Sequence, residues 1–298
     1  MLTFTVRRTR GDIIFDLFNF IFLTSLLLVI LYPLYYIIIA SISDPAQVSS
    51  GNVLLIPKGV GFEGYKTIFK DSTIWTGYRN SLAILILGIA SQLIIILPFS
   101  YAISRKDFYG RKFFTILLII TMFFNGGIIP NFLVIKNLGL YNTYWAIILP
   151  LLMSPSAIII TRTFFGTSIP GSLLDAARID GASDFYFFMK IVLPLSKAII
   201  AINILMFGVF LWNDYFFAMI YLGDADKFSL QLVLREFLIE NQVSFEMMGN
   251  PDEVAEKMRI GELIKYGTIV IGALPLMILY PFLQKYFVRG VMLGSVKE

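Results

Sequence analysis

Long apolar stretches alternate with short polar segments along the whole chain. A helix that crosses a membrane needs about 20 consecutive and mostly apolar residues, and several stretches of the sequence meet this requirement. The predicted spans are approximately residues 13–42, 75–103, 113–134, 144–165, 195–222 and 263–287. The pattern therefore predicts an all-α membrane protein with six transmembrane helices and with both termini on the same side of the membrane.

Composition narrows the possible chemistry. The chain has 298 residues, of which 57% are hydrophobic and 15% are charged, whereas charged residues make up about 25% of a typical soluble domain. It contains no Cys and no His, which excludes disulfides, Cys/His metal sites, nucleophilic cysteine and histidine acid–base chemistry. The first apolar stretch is too long for a cleavable signal peptide, so it is predicted to be the first span.

The distribution of charge predicts the orientation. Lys and Arg concentrate in cytoplasmic loops of membrane proteins. Basic residues occur before the first predicted span, after the second and in the C-terminal tail, at Arg7, Arg8, Arg10, residues 105–112, Arg289 and Lys297. The loop at residues 223–260 is mixed and acidic and lies on the other face. Both termini are therefore expected to be cytoplasmic, and because the basic residues follow the membrane face, nothing favours nucleic-acid binding.

A compact polar segment separates the fourth and fifth predicted spans. Residues 175–195 read DAARIDGASDFYFFMKIVLPL. Ser168 is placed to cap a helix that begins near Pro170, and Leu173, Ala176 and Ala177 are expected to share one face of that helix. The two alanines leave little bulk, so another protein surface can approach the backbone closely. The orientation predicted above places this segment in the cytoplasm.

Turn-forming residues divide the segment into two short helices. Gly181 is expected to end the first helix in the left-handed conformation, and Ser183 is placed to cap the second. Pro194 marks the predicted junction with the fifth span. The alternative interpretation is an ordinary loop with an amphipathic helix at the membrane surface.

The segment resembles the EAA loop of bacterial ABC-importer permeases. That pattern has Glu-Ala-Ala, a Gly after three further residues, and Ile-x-Leu-Pro after nine more. The matching positions are Ala176, Ala177, Gly181, Ile191, Leu193 and Pro194. Asp175 departs from the usual Glu, which keeps the charge and shortens the side chain by one methylene. Asp180, in the sequence Asp-Gly-Ala, is similar to the version of the loop found in carbohydrate importers.

The resemblance continues outside this segment. NGGIIPNFLVIKNLGLYNTYWAIILP, which begins at Asn125, and the C-terminal FVRGVMLGSVKE are similar to permeases for oligosaccharides and polysaccharide fragments, which are allied to the maltose-importer permeases. The N-terminal third is matched only by the layout of its spans. The resemblance implies a permease subunit of a carbohydrate importer in a bacterial cell membrane, with residues 1–298 as one transmembrane domain.

Partners follow from the same resemblance. It implies a second permease subunit (as a heterodimer), two cytoplasmic ATPase subunits and an extracellular solute-binding protein. The coupling loop, residues 168–194, would dock on an ATPase through Asp175, Ala176, Ala177, Asp180, Gly181, Ala182 and Pro194. The chain lacks a GxxxxGK[ST] phosphate loop, so ATP and Mg²⁺ are expected on the ATPase, with no cofactor, metal site or catalytic residue in this chain.

Polar residues near the other membrane face are candidates for the solute pathway. Trp212, Asn213, Asp214 and Tyr215 combine aromatic rings with hydrogen-bonding groups inside the fifth predicted span, and Asn125 lies at a break in the third. Buried polar groups in spans often line a cavity. The other interpretation is an interfacial aromatic belt with a hydrogen bond between helices.

Two polar residues within the predicted spans and one apolar helical face outside them can also be interpreted. Gln92 and Asn203 are interpreted as hydrogen-bonding groups between helices. Leu230, Leu234 and Phe237 share a helical face that would either meet a binding protein or pack on the ends of the spans.

Alternative functions remain open at this point. They are an ABC permease for a non-sugar solute, a secondary transporter and an intramembrane enzyme. A secondary transporter is disfavoured because no internal repeat is evident. An enzyme is disfavoured because no GxSxG nucleophile sequence occurs.

Overall fold

The computed structural model describes residues 9–124, 126–246 and 261–281, and within these ranges the protein is helical and has no strand. The α-helices, in chain order, are α1 (Arg10–Ser41), α2 (Pro45–Ser49), α3 (Glu63–Lys70), α4 (Ser72–Ser104), α5 (Arg111–Phe123), α6 (Ile128–Asn137), α7 (Tyr144–Ile148), α8 (Pro155–Ser168), α9 (Gly171–Ile179), α10 (Asp184–Phe187), α11 (Leu193–Leu195), α12 (Lys197–Asn213), α13 (Phe216–Tyr221), α14 (Leu230–Glu246) and α15 (Gly261–Pro281). Short 3₁₀ turns follow α7 and α13, and a π turn joins α10 to α11. The all-α prediction is confirmed.

The chain forms two compact units. The first comprises residues 1–70 and 238–271, and its longest helix is α1, at 32 residues. A capping box fixes the start of α1, since the Thr9 side chain accepts from the Asp12 amide and the Asp12 carboxylate accepts from the Thr9 amide. No residue of the most apolar 18-residue stretch of α1 is buried. Such a helix needs lipid or another subunit around it.

The second unit comprises residues 71–237 and 272–298 and is organised around α4. α4 packs along α8 and α12 and also contacts α7. Gly88 permits this approach, because a Cβ at that position would lie 2.5 Å from a methyl carbon of Leu211. The buried side chains around it include Ile84, Ile148 and Phe207.

The candidate membrane spans are of two kinds. α1, α4 and α15 are each long and apolar enough to cross a membrane as single helices. Three bent pairs meet the same length and composition test when each pair is counted as one span: α5 with α6, the stretch Tyr144–Leu151 with α8, and the stretch Asp184–Leu195 with α12. The described residues therefore contain between three and six candidate spans.

The predicted third span, residues 113–134, is interrupted, in agreement with the break that the sequence indicated within it. α5 and α6 are bent by 116° at a break that includes Gly127, whose φ is +82°. With 13 and 10 residues and a rise of about 1.5 Å per residue, each helix is shorter than the roughly 30 Å hydrocarbon layer. Asn125 lies outside the described residues.

The fourth and fifth predicted spans, residues 144–165 and 195–222, are also interrupted. The fourth bends by 52° between Leu151 and Pro155. The fifth ends at Asn213, and a separate helix, α13, follows it. Asp214 is therefore not within a continuous helix, and its extended backbone separates α12 from α13.

Candidate functional site

The first helix of the coupling loop is α9, which begins after Pro170 in an extended conformation. The prediction that Ser168 caps it is wrong, because Ser168 is the last residue of α8. No side chain caps the start of α9, and Leu173 donates its amide to the carbonyl of Pro170 over 3.1 Å. The backbone therefore closes the first turn without a serine cap.

The end of α9 is a complete Schellman motif centred on Gly181. The amide of Ala182 donates to the carbonyl of Ala177 over 2.9 Å, and the amide of Gly181 donates to that of Arg178 over 3.1 Å. Gly181 has a φ of +75°, which is the left-handed conformation that glycine adopts without steric cost. The predicted role of Gly181 in ending the helix is confirmed, and Asp180 is the exposed residue just before it.

The two alanines of α9 face different environments. Ala177 is 6% exposed and packs in an apolar cluster with Phe165, Phe187 and Val192, whereas Ala176 is exposed. The prediction that both share one face is wrong, because successive residues of a helix are about 100° apart. Ala177 attaches α9 to its own subunit and is not part of its free surface. Ala182 packs against the edge of the same cluster.

The opposite face of α9 is exposed. Ser172, Asp175, Ala176 and Ile179 follow helical spacing along this face, and the Ile179 side chain is 87% exposed. The short helix α9 therefore buries one face and leaves the other face exposed, with an isoleucine at its end. We call these four residues the outer face of α9.

An ion-pair cluster holds the loop against the end of α4. Arg105 binds the Asp107 carboxylate through Nε at 2.9 Å and Nη2 at 2.5 Å, and its Nη1 lies 2.8 Å from Asp184. Arg178, on α9, donates to Asp107 over 3.0 Å and lies 3.7 Å from Asp184. The cluster therefore joins the residues after α4, the last turn of α9 and the start of α10.

The same contacts change the ionisation of the cluster. Hydrogen bonds from Arg105, and then from Arg178, hold the pKa of Asp107 well below its ordinary value. The Asp107 carboxylate in turn raises the pKa of Arg105. Both groups therefore stay charged throughout the neutral range. Sequence reasoning missed the cluster, since Arg105 and Asp107 are about 70 residues away from Arg178 and Asp184 in the chain and the loop pattern does not include them.

The second helix of the loop begins as predicted and joins the next span later than predicted. The Ser183 side chain accepts from the Tyr186 amide over 3.2 Å, which confirms its capping role. Pro194 lies within α11 and is exposed. The junction is at Ser196, where the segment from Asp184 to Leu195 bends by 76° to α12. The position predicted for the junction, at Pro194, is therefore wrong by two residues.

The predicted pathway residues at the end of α12 and just after it form hydrogen bonds within the second unit. Trp212 is 2% exposed and donates its ring N–H to the carbonyl of Gly272 over 2.9 Å. The Asp214 carboxylate caps α13, accepting from the amides of Phe217 at 3.1 Å and Ala218 at 3.2 Å. Asn213 is exposed and donates to Val209 of its own helix. Their role in a pathway stays a prediction.

Tyr215 is exposed, and the Arg235 guanidinium lies over the face of its ring. The Arg235 guanidinium carbon is 5.7 Å from the centre of its ring, a geometry typical of a cation–π contact. This contact connects the chain after α12 to α14. Its predicted role in a pathway also stays a prediction.

The apolar face predicted at residues 230–237 packs on the unit itself. Leu230 and Leu234 are buried, at 0% and 4% exposure, and Leu230 lies so close to α4 that a Cβ on Gly77 would approach its Cα to 3.0 Å. The interpretation in which this face packs on the ends of the spans is confirmed. No cluster of three or more metal-binding side chains occurs in the described ranges.

The fold defines a class of protein, a polytopic helical membrane protein. Residues 74–293 match the family described as "Binding-protein-dependent transport system inner membrane component". The chain belongs to this family and is a multi-pass protein of the cell membrane.

Relatives cover nearly the whole chain. It is 36% identical over 293 residues to protein LplC of Bacillus subtilis strain 168, with 98% of each chain covered. It is 38% identical over 285 residues to the polygalacturonan/rhamnogalacturonan transport system permease protein YtcP of the same strain, covering 95% of this chain and 98% of the other.

A solved structure has a similar fold. It is a crystal structure of a bacterial ABC transporter involved in the import of the acidic polysaccharide alginate. The TM-score is 0.83 and the sequence identity 34%, and the alignment covers 95% of this chain and 100% of that chain.

Proposed function

We propose that this chain is a permease subunit of an ABC importer for carbohydrates, specifically oligosaccharides or polysaccharide fragments. It forms half of the translocation pathway and contains one transmembrane domain, residues 1–298. The family supports the transport role. Two relatives named for polygalacturonan/rhamnogalacturonan and for alginate support a carbohydrate as the solute.

Coupling to a cytoplasmic ATPase takes place through the loop at residues 168–194. The observation that carries this proposal is the two-sided character of α9, with Ala177 buried in its own subunit and Ile179 almost fully exposed. The outer face combines the exposed Ile179 with the small side chains of Ser172 and Ala176, which allow another protein surface to approach the helix closely. The Schellman motif and the ion-pair cluster make α9 move with the ends of α4 and α10, so a force applied to its outer face reaches the spans.

The proposed topology has six spans and cytoplasmic termini. Three single helices and three bent pairs supply enough apolar length for six crossings. The bends are acceptable in a membrane where another subunit or a water-filled pathway covers the interrupted backbone. The basic residues at 105–112 lie on the same side as the coupling loop, as the positive-inside rule requires.

The complete transporter contains further subunits. A second permease completes the pathway and covers exposed apolar surface, two ATPase subunits bind ATP and Mg²⁺, and an extracellular solute-binding protein delivers the carbohydrate. This chain is a non-catalytic subunit without a cofactor of its own. The lack of a phosphate-loop sequence supports this division of labour.

The test is co-purification followed by a docking variant. The tagged chain should isolate together with an ATPase and a second permease, and the complex should hydrolyse ATP faster when loaded binding protein is added. Ile179→Asp should abolish that stimulation and weaken ATPase recovery, because a charge replaces the exposed apolar contact. Tyr109→Asp is the matched control, since Tyr109 is fully exposed in the neighbouring loop and outside α9. Transport by the chain alone, or unchanged coupling in Ile179→Asp, would refute the proposal.

A further inference from the structure

The loop between α2 and α3 presents three consecutive aliphatic side chains on its surface. Leu54, Leu55 and Ile56 are 61%, 64% and 71% exposed, and no charged residue lies between Asp44 and Lys58. Three or more large apolar side chains in a row are not left exposed to water without a functional reason. We call Leu54, Leu55 and Ile56 the apolar tip, and something outside this chain is expected to cover it.

Hydrogen bonds and packing hold both ends of this loop. At one end, the Asn52 amide donates to the Gln47 carbonyl over 3.0 Å, and Val53 is buried in a cluster with the last turn of α1. At the other end, the Asp44 amide donates to the Lys58 carbonyl over 2.9 Å. The exposure of the apolar tip therefore belongs to a defined conformation of the loop.

The apolar tip folds back along α1. The Tyr32 hydroxyl donates to the Leu54 carbonyl over 3.3 Å, and the Tyr35 hydroxyl donates to the Leu55 carbonyl over 2.5 Å. Tyr32 and Tyr35 lie about 9–14 Å before the end of α1 at Ser41, at a rise of roughly 1.5 Å per residue. Side chains in a helix tilt toward its N-terminus, so the two hydroxyls point away from that end. The tip therefore lies beside α1 and not beyond it.

Two helices of this unit indicate where the hydrocarbon layer ends. α1 has no charged residue after Asp16, so a span of about 20 residues that starts directly after Asp16 ends at Tyr36. In α15 the last charged residue before the apolar stretch is Lys265, and Tyr266 follows it. The rings of Tyr36 and Tyr266 are 6.2 Å apart, and tyrosine is enriched at the membrane–water interface. Both helices therefore place the boundary at the level of these two rings.

The apolar tip lies on the membrane side of this boundary. Tyr32 and Tyr35 precede Tyr36 along α1, so the carbonyls that accept their hydroxyls are at the boundary or deeper. Irregular backbone is costly in hydrocarbon because its polar groups find no water there. The two tyrosine hydroxyls satisfy two carbonyls of the tip, and Pro57, which follows the tip, has no amide hydrogen. Both features lower the cost of inserting this loop.

The composition of the tip favours lipid over a protein partner. Protein interfaces are enriched in aromatic residues, Met and Arg, and Leu is under-represented among the residues that carry their binding energy. The tip contains only Leu and Ile, and it is continuous with α1, whose most apolar stretch has no buried residue. Lys58 follows the tip and is exposed, and its long side chain can reach the lipid headgroups.

We propose that residues 53–57 form a membrane-inserted loop and that lipid acyl chains cover the apolar tip. In the proposed topology this is the outer leaflet. The inference goes beyond the transport function and does not depend on the identity of the solute. The buried residues of α1 are those of its last turn, Ile39–Ser41. The inserted loop gives this end of α1 a second attachment, to the lipid.

The first experiment uses the natural absence of cysteine. Because the chain has no Cys, Ile56→Cys gives this subunit a single thiol for an environment-sensitive fluorophore, with the other subunits made cysteine-free. The labelled transporter is reconstituted in vesicles of phosphatidylethanolamine and phosphatidylglycerol. Emission should be blue-shifted, and brominated lipids should quench it, more strongly with bromine near the headgroups than near the chain ends. Ser50→Cys is the matched control, since Ser50 is exposed in the same loop outside the tip and should stay unquenched.

Two results would overturn the insertion. Blue-shifted emission from Ile56→Cys that brominated lipid does not quench would mean that a protein surface, such as the second permease, covers the tip. Emission typical of water would mean that the loop lies outside the membrane. Neither result would affect the proposed carbohydrate transport, which is measured separately as uptake.

The second experiment removes the two hydroxyls that hold the tip. Tyr32→Phe combined with Tyr35→Phe, in the labelled Ile56→Cys chain, keeps the rings and deletes both hydrogen bonds. The equilibrium between the inserted and the withdrawn loop should shift by about tenfold toward withdrawal, so quenching should weaken and the emission should move to the red. Tyr109→Phe is the control, because Tyr109 is fully exposed in the other unit. Unchanged quenching in the double variant would show that the hydroxyls do not hold the tip in the membrane.

Discussion

At one end of α4, Asn80 and Ser81 bind the chain that leads into α14; at the other end, Arg105 binds the chain around α9 and α10. The Asn80 amide is fully buried and donates to the carbonyls of Asp226 at 2.8 Å and Phe228 at 2.9 Å. The ion-pair partners of Arg105 are about half exposed. Asn80 and Arg105 are about 38 Å apart along the helix axis, at a rise of roughly 1.5 Å per residue.

The difference lies in how much each contact costs to break. Leaving a buried polar group without a partner costs about 1–3 kcal/mol, whereas an exposed ion pair contributes about 0–1 kcal/mol and weakens with salt. The polar contacts at the Asn80 end are therefore costly to break, whereas the ion pairs at the Arg105 end can exchange partners at low cost. Apolar packing of Leu97 and Tyr101 in the same cluster as Ala177 keeps α9 attached to α4 at the Arg105 end.

The largest effect is expected from breaking the contacts at the Asn80 end. Asn80→Leu removes both bonds to the loop at 226–228 and also leaves the Tyr144 hydroxyl, now 2.9 Å from Asn80 Oδ1, without its acceptor. We expect the free energy of unfolding to fall by roughly 2–4 kcal/mol, read as a lower melting temperature of the purified transporter. Asn213→Leu is the control, because the exposed Asn213 bonds only within α12. Equal melting of the two variants would show that the buried hydrogen bonds of Asn80 do not stabilise its end of α4.

The neighbouring alanines of α9 give the next largest effect and separate packing from docking. Ala177→Leu inserts three carbons beside Phe165 and Phe187 in the buried cluster, which should cost about 1–3 kcal/mol and reduce the amount of folded transporter. Ala176→Leu enlarges the outer face, so the transporter should fold normally and lose sugar-stimulated ATP hydrolysis. Melting temperature and coupled ATPase activity, measured on both, test this. Identical behaviour of the two variants would contradict the two-sided description of α9.

A substitution at Gly181 tests whether the contacts around Arg105 depend on a defined end of α9. Gly181→Val forces a β-branched residue into a left-handed conformation, at a cost of about 1–2 kcal/mol. The Schellman bonds should loosen, and ATP hydrolysis should become independent of sugar while the spans remain folded. Gly181→Asn is the matched control, since asparagine tolerates this conformation and should keep most of the coupling. Full coupling in Gly181→Val would show that the helix end is not required.

Local chemistry made parts of the site predictable from sequence. Gly181 and Ser183 were predicted correctly because a left-handed turn and a helix cap depend on residues only a few positions away. The all-helical fold followed from the apolar stretches for the same reason. The spacing within α9 already separates Ala176 from Ala177, but which of the two is buried depends on α8 and α10, which that spacing does not reveal.

The interruptions of the spans were harder to predict because proline does not decide them alone. Pro33 and Pro98 lie within the unbroken helices α1 and α4, whereas the breaks at Ser196 and Asp214 contain no proline. At Asp214 the extended backbone is compensated by the carboxylate, which caps α13. Such a break depends on a polar group finding its partner after the turn, and hydropathy carries no information about that.

The smallest effect is expected from the ion-pair cluster, and its dependence on pH gives the sharpest test of the comparison. Because Arg105 and Arg178 lower the pKa of Asp107 in the folded protein, its contribution is fully present at neutral pH. It is lost as pH falls below the ordinary aspartate range near 4. Asp107→Asn should therefore lower stability by less than about 1 kcal/mol at neutral pH and low salt.

The difference in melting temperature between Asp107→Asn and wild type should shrink in high salt and as pH falls through the lowered pKa of Asp107. The difference between Asn80→Leu and wild type should not respond to salt, because its buried hydrogen bonds join uncharged groups. A salt-independent effect of Asp107→Asn, as large as that of Asn80→Leu, would mean that the ion pairs at the Arg105 end are as costly to break as the buried hydrogen bonds of Asn80.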